Sequence, residues 1–329
     1  MSLLDISGIS IDYRVGSRIL RAVDNISLQV HAGEAIGIAG ESGCGKSSLG
    51  LSVPRLLPQN ATIASGQIKI DGEEVTTLSE NQLNKLRWTK AAFVFQGAMN
   101  ALNPVLRISR QILEPIVTHA PETAARDAEQ RVMELLDLVG ISPSRARSYP
   151  HEFSGGMRQR VMIAMALACH PSLLIADEPT TALDVISQAQ ILSLLGALRK
   201  QQNLALVMIS HDLAAIRRTC DRILVMYAGV IVESGPTATI LGGTDRRADA
   251  AHPYTQALIS AHPNLRGERV LAKALPGHPP DLSQAMRGCR FHDRCPARMN
   301  VCQEIPPQPR KVSNEHVVAC HLIGSGEAP

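Results

Sequence analysis

Apolar and polar positions alternate through the first 35 residues. Leu4, Ile6, Ile9, Ile11, Tyr13 and Val15, then Ile26, Leu28 and Val30, carry the apolar side, which predicts antiparallel strands with one buried face. Gln67 to Ile70, followed by the Asp71-Gly72 turn, continues this β character. Ala35 to Ala39 differs, because no polar residue interrupts it and glycines bound it. Such a run reads as a strand buried on both faces of a parallel sheet. Ala91 to Phe95, Leu173 to Glu178 and Ala205 to Ile209 repeat that type. Ile223 to Met226 and Val230 to Val232, joined through Ala228-Gly229, predict a closing hairpin.

Between Gly97 and about Gly140 the period changes. Ile108, Ile112 and Ile116, then Val132, Leu135, Leu136 and Val139, recur at helical spacing, with Pro115, Pro121 and Pro143 as punctuation. Shorter helices are expected at Ser48 to Leu57, Leu83 to Trp88 and Val161 to Ala168. The whole predicts an α/β fold: a parallel core sheet, an antiparallel β subdomain and a helical subdomain over about residues 97–165. After Gly235-Pro236, proline, histidine and arginine become frequent and β periodicity fades. One domain is therefore expected over residues 1–235 and a small irregular extension over 236–329.

The stretch Gly40-Glu41-Ser42-Gly43-Cys44-Gly45-Lys46-Ser47-Ser48 lies between a buried strand and a helix. In that context G-x-x-x-x-G-K-[ST] is a phosphate-binding loop. Its glycines let successive N–H groups turn inward on a phosphate, and the helix start adds partial positive charge. Lys46 is placed for the β- and γ-phosphates and the Ser47 hydroxyl for Mg²⁺. Ser154, before Gly155-Gly156, is an N-cap at a second helix start with exposed N–H groups. Asp177-Glu178 ends a buried strand, at the edge where α/β sheets bind ligands. Strand alternation would aim Asp177 at Mg²⁺ and Glu178 at an attacking water. Gln96, His211 and Tyr13 stand at strand ends, where a glutamine is usually a loop residue, a lone histidine more often a surface one, and a half-buried strand tyrosine as ordinary as one that stacks on adenine.

Length and charge narrow the picture. A chain of 329 residues with 45% apolar and 19% charged residues is globular and long enough for about two domains. With a net charge of +3, the pairs Arg217-Arg218 and Arg246-Arg247 are too short for a nucleic-acid stripe and read as solvated face. No signal pattern opens the chain, and its longest apolar runs, Val161 to Cys169 and Ile223 to Val232, fall short of a membrane span. A cytosolic setting is expected. Four of the seven cysteines, Cys289, Cys295, Cys302 and Cys320, crowd the last 41 residues. In a reducing compartment such a cluster favours a metal or cluster site over disulfides.

Taken in order, Tyr13, the loop at 40–48, Gln96, Ser154-Gly155-Gly156, Asp177-Glu178, Ala182-Leu183-Asp184 and His211 resemble the motif series of an ABC-type ATPase. From residue 3 to about 235 the chain is similar to the ATP-binding subunit of an ABC transporter. The resemblance implies a P-loop ABC-type ATPase core that works as two domains packed head to tail, each ATP sandwiched between them. It implies that Gly40, Ser42, Gly43, Cys44, Gly45, Lys46, Ser47 and Ser48 enclose the phosphates while Tyr13 stacks on adenine. Ser47, Gln96 and Asp177 would attend Mg²⁺, with Asp177 acting through water. Glu178 would be general base, His211 would contact the γ-phosphate, and Gln96 would sense nucleotide. Ser154, Gly155 and Gly156 would serve the partner's nucleotide, with Asp184 at the dimer seam. Phe153 replaces the family's usual Leu, Met157 its usual Gln, and Gly97 follows the glutamine where many relatives carry Asp.

The extension sharpens the resemblance. His252-Pro253-Tyr254-Thr255-Gln256-Ala257-Leu258, Leu275-Pro276-Gly277, Gly288-Cys289 and Arg294-Cys295-Pro296 look like the C-terminal region of oligopeptide and dipeptide importers, as does Leu102-Asn103-Pro104. In relatives four cysteines there hold an iron–sulfur cluster, which implies a [4Fe–4S] site at Cys289, Cys295, Cys302 and Cys320. No C-x-x-C pair is present, which weakens a structural-zinc reading. The family further implies a distinct second ATPase, two transmembrane permeases and an extracytoplasmic binding protein, with this chain peripheral on the cytoplasmic face of the inner membrane. A soluble ABC-type ATPase of translation or DNA repair, and an importer subunit with a redox-regulatory cluster, are the competing readings.

Overall fold

Five strands with no alternation of polar residues run parallel and carry the chemistry at their carboxyl ends. The computed structural model describes residues 2–97, 101–242, 248–261, 277–284, 286–313 and 315–323. Arg246, Arg247, Leu275 and Pro276 lie outside the described residues. The strands are β1 (Leu4–Val15), β2 (Arg18–Val30), β3 (Ala35–Ala39), β4 (Ala61–Ile70), β5 (Glu73–Glu74), β6 (Ala91–Val94), β7 (Leu173–Asp177), β8 (Ala205–Ile209), β9 (Arg222–Tyr227), β10 (Val230–Pro236), β11 (Arg310–Lys311) and β12 (Val317–Val318). The larger sheet has the order β11-β12-β10-β9-β3-β8-β7-β6. Within it β9, β3, β8, β7 and β6 are mutually parallel.

Every residue of β3, β7 and β8 is buried, which is why their sequences do not alternate. Alternate side chains feed two cores. Leu173, Ile175, Val207 and Ile209 pack toward the antiparallel subdomain, whereas Leu174, Ala176, Leu206 and Met208 pack toward the helical one. The antiparallel sheet has the order β2-β1-β4-β5. Its buried residues step from Ile6 to Ile9 because a bulge intervenes at Gly8, whose φ is +62°.

In the helical part, Ile108–His119 and Ala125–Leu138 are the two long helices. Pro115 lies inside the first rather than ending it. The helix expected from Val161 begins at Gly155, because Ser154 accepts the Met157 N–H and starts it six residues early. The helix behind the phosphate loop is shorter than expected, Lys46–Ser52. Among the described residues no helix is long and apolar enough to cross a membrane.

The terminal extension supplies β11 and β12, and Val317 and Val318 of β12 pair with Ser234 and Glu233 of β10. Glu233 is fully buried. Its carboxylate accepts from the Ala251 and His252 backbone amides at 2.7 and 3.1 Å and from His316 Nε2 at 2.7 Å. One acid thus fastens both ends of the extension. Replacing it strands three donors, two of them buried, and truncation of a buried hydrogen-bonded pair costs about 3–5 kcal/mol. Glu233→Ala is therefore expected to release the extension as a protease-sensitive segment while the parallel core stays folded. Undiminished protease resistance beyond residue 236 would contradict this role.

Candidate functional site

The phosphate loop is shaped by close approach of backbone. A Cβ on Gly40 (φ +153°) would stand 2.2 Å from the Met226 carbonyl oxygen, and one on Gly45 (φ +102°) 2.2 Å from that of Ala22. No side chain fits either position. The Ser42-Gly43-Cys44 turn is closed by the Cys44 amide donating to the Glu41 carbonyl at 3.3 Å. Lys46 is buried, and its Nζ donates to the carbonyls of Gly40 and Glu41 at 2.8 and 2.9 Å. Burial pushes the Cys44 thiol up despite Lys46, so it is held as a thiol packed against the loop. The Tyr13 hydroxyl lies 2.9 Å from that of Ser48, which brings the tyrosine onto the loop's helix.

Beside the loop, β7 delivers Asp177, which is 4% exposed. Burial pushes its carboxyl up, and a hydrogen bond from the Ser47 hydroxyl opposes the shift. Asp177 Oδ1 is buried with no hydrogen-bond partner. An orphaned carboxylate oxygen next to a serine hydroxyl is an oxygen donor set suited to a hard cation such as Mg²⁺.

Glu178 does not continue the strand. Its φ is +46°, so strand alternation is not what separates the two acids; a left-handed residue after β7 turns Glu178 away. Three side chains hold it there. Gln96 Nε2 donates to Oε2 at 2.8 Å, the Thr181 hydroxyl donates to the same oxygen at 2.8 Å, and His211 Nδ1 lies 3.1 Å from Oε1. Burial raises the Glu178 carboxyl, but the Thr181 and His211 hydrogen bonds, with the charges of His211 and Lys46, outweigh it. The group is held below the ordinary carboxylate range and stays ionised. Thr181 was not singled out by the sequence; its place three residues after the acid is the only signal it offers.

Ser154, Gly155, Gly156 and Asp184 form a second cluster. A Cβ on Gly156 would meet the Ser187 hydroxyl at 2.9 Å. Ser187 in turn gives its amide and hydroxyl to Asp184 at 2.9 and 2.7 Å. The Ser187 amide and hydroxyl hold the Asp184 carboxyl below its usual range. Ser187, also unflagged by sequence, joins the two helix starts. Phe153 is buried beneath the Arg145 guanidinium, 4.4 Å from its ring centroid, so the exchange for leucine leaves the cap intact.

In the extension Cys289, Cys295, Cys302 and Cys320 line one small cavity, together with His252, Phe291, His292 and His321. Burial, reinforced by the neighbouring thiols, pushes Cys289 up to about 11. Among the described residues no three His, Cys, Asp or Glu side chains stand in metal-holding geometry, so the sulfurs converge without forming a closed cage. His252 Nδ1 accepts the Tyr254 amide at 3.0 Å, and burial pushes the ring down to about 4, so the neutral ring carries its proton on Nε2. That nitrogen is buried and has no partner.

Over residues 23–181 the chain matches the family described as ABC transporter, and over 232–302 that described as Oligopeptide/dipeptide transporter, C-terminal region. It is 42% identical over 308 residues to the Oligopeptide transport ATP-binding protein OppD of Escherichia coli, covering 93% of this chain and 89% of that protein. With the Dipeptide transport ATP-binding protein DppD of Haemophilus influenzae it shares 40% over 323 residues, 98% and 96% of the two chains. The dimeric post-hydrolysis structure of the ATP-binding cassette MJ0796 bound to ADP and Pi is similar at TM-score 0.64 and 28% identity, covering 71% of this chain and 98% of that one.

Asp177→Asn keeps the shape of the site and removes the charge that a cation would meet. The Mg²⁺ concentration for half-maximal nucleotide hydrolysis is expected to rise by about 10–100-fold, the usual effect of losing a supporting carboxylate. A Mg²⁺ titration superimposable on that of the unmodified chain would remove Asp177 from the cation site.

Proposed function

The chain belongs to the ABC transporter ATPase family, and from that premise we propose that it powers import of peptides or a chemically related small solute. The observation that carries the reading is Glu178, fixed by Gln96, Thr181 and His211 next to a loop that already seats Lys46. Phosphoryl transfer asks a protein mainly for positioning and charge stabilisation. Gly40 to Ser48 hold the phosphates, and Lys46 neutralises charge on them. Ser47 and Asp177 would hold Mg²⁺, which would neutralise phosphate charge. Glu178, ionised, accepts a proton from the attacking water, while His211 and Gln96 orient it. Tyr13 lies close enough to the loop's helix to border the nucleotide base.

Ser154, Gly155, Gly156 and Asp184 would complete the site of a partner ATPase. Their cluster is built through Ser187, which gives its amide and hydroxyl to Asp184. We take the partner to be a distinct subunit. The pair would dock on two permeases at the cytoplasmic face of the inner membrane, fed by an extracytoplasmic binding protein. Relatives named for oligopeptide and dipeptide transport support this over a soluble role in translation or repair.

We put the boundary between ATPase core and extension at residue 235/236. The extension's four cysteines suit a four-thiolate [4Fe–4S] cluster. Sulfurs converging on one cavity and the orphaned His252 Nε2–H are what such a group would satisfy, since thiolate and sulfide accept hydrogen bonds. Its place would be structural, bracing a segment with little core of its own.

Glu178→Gln preserves the hydrogen-bonding shape and removes the base. In the assembled transporter, hydrolysis is expected to fall by about 10²–10⁴ while MgATP binding persists, because a positioned base contributes that much. Hydrolysis at the unmodified rate would refute the assignment. For the extension, anaerobically purified chain is expected to contain about four irons and show visible charge-transfer absorbance; bound zinc without iron would replace the cluster by a zinc site.

A further inference from the structure

Glu41, the second residue of the phosphate loop, has all of its polar groups engaged. Its carbonyl accepts from Lys46 Nζ at 2.9 Å. The amide donates to the Tyr254 hydroxyl at 2.9 Å. Its carboxylate receives both terminal guanidinium nitrogens of Arg294, at 2.7 and 2.9 Å. The first contact belongs to the ATPase core. The other two come from the extension, 213 and 253 residues away along the chain.

The two extension residues are themselves rigidly seated. Tyr254 is fully buried and Arg294 is 8% exposed. Arg294 also donates to the Tyr227 hydroxyl at 3.2 Å, and Tyr227 ends the core strand β9. The rings of Tyr227, Tyr254 and Phe291 form a closed aromatic cluster, with centroids 4.6, 5.2 and 5.4 Å apart. Nearby, Arg290 bonds the Ala228 carbonyl and Asp24. Pro279, Pro280 and Leu282 share the lining of one small cavity with Glu41, Ser42, Gly43 and Cys44. Three separate pieces of the extension therefore surround one side of the loop.

We propose that Arg294 and Tyr254 are positioning residues of the nucleotide site, clamping Glu41 so that its carbonyl seats Lys46 before ATP arrives. A bidentate guanidinium–carboxylate pair fixes direction as well as distance. A loop ordered in advance costs no ordering on binding, so the clamp appears as affinity. The extension is thus a part of the ATP site supplied in cis, and not solely a cap on the sheet edge. This rests on the reading of the loop as an ATP site, and the two fail differently. If the unmodified chain does not bind MgATP, the functional reading is wrong; if it binds and the variants bind equally, the clamp is wrong.

The test uses the full chain and equilibrium binding of MgATP, followed by ATP KM and kcat in the assembled transporter. Tyr254→Phe deletes one hydroxyl and keeps the aromatic packing; the loss of one neutral hydrogen bond is expected to weaken binding about fivefold. Arg294→Gln removes the charged fork and is expected to weaken it by about 10–100-fold. Arg294→Lys, which keeps charge without the fork, should recover part of that loss. In both weakened variants KM should rise by a larger factor than kcat falls, a split that general destabilisation would not produce. Arg310→Gln, in the extension but bonded to the Ile323 carbonyl, should bind like the unmodified chain. Tyr254→Phe and Arg294→Gln both binding MgATP within about twofold of the unmodified chain would overturn the proposal. Should the arginine variants misfold, Tyr254→Phe decides alone by the same twofold margin, since it removes a single oxygen.

Discussion

A lysine ammonium buried at 6% exposure must find oxygen partners, and the rest of the site follows from how it does so. Lys46 takes the carbonyls of Gly40 and Glu41, which point at it only because the loop curls back over its own helix. That curl brings Gly40 against the Met226 carbonyl and Gly45 against that of Ala22, closer than any Cβ allows. The parallel strands β3 and β9 set the first approach and the antiparallel subdomain sets the second. Two subdomains with different sheet types therefore share responsibility for one cationic side chain.

Two carboxylates adjacent in sequence are given opposite environments. Asp177 is buried, has an oxygen without a partner and is pushed up, so it gains from a cation. Glu178 has donors on both oxygens and is held down, so it remains charged without one. The left-handed backbone at Glu178 makes that split possible, since a strand would only have alternated them across the sheet. A residue with a side chain in that region carries a cost of order 1–3 kcal/mol, sustained by the three side chains that grip the carboxylate. Weakening the grip would let the backbone relax as well as free the acid.

The parts of this site legible in the sequence are those fixed by neighbours along the chain. The glycine spacing of the loop, the unbroken apolar strands and the cap at Ser154 are local, and each appears where its pattern placed it. The break in alternation from Ile6 to Ile9 is explained only by the structure, as a bulge at Gly8. What the sequence hid is long-range or conformational. The φ of Glu178 has no composition signature. Thr181 and Ser187 act through hydroxyls that any turn might carry. Pro115 reads as a break, yet its helix continues because the buried side chains on either side outweigh one lost amide. The Glu41 contacts with Tyr254 and Arg294 join segments more than 200 residues apart, and no periodicity encodes that.

The same distinction explains the extension. Its proline-rich sequence lacks the apolar periodicity of a domain, yet it buries Tyr254, Leu258 and Phe291 in the core that also holds β9. It gains order by borrowing partners: the edge of β10 for β12, Glu233 for His316 and two amides, and Glu41 for Arg294 and Tyr254. Every one of those partners lies in or beside the ATPase core, so the extension is ordered only insofar as the core is. Arg294 is followed directly by Cys295, so the chain that carries the grip on the phosphate loop also carries a sulfur of the cysteine cavity. In this segment the fastening at the cavity and the grip on Glu41 are one peptide unit apart.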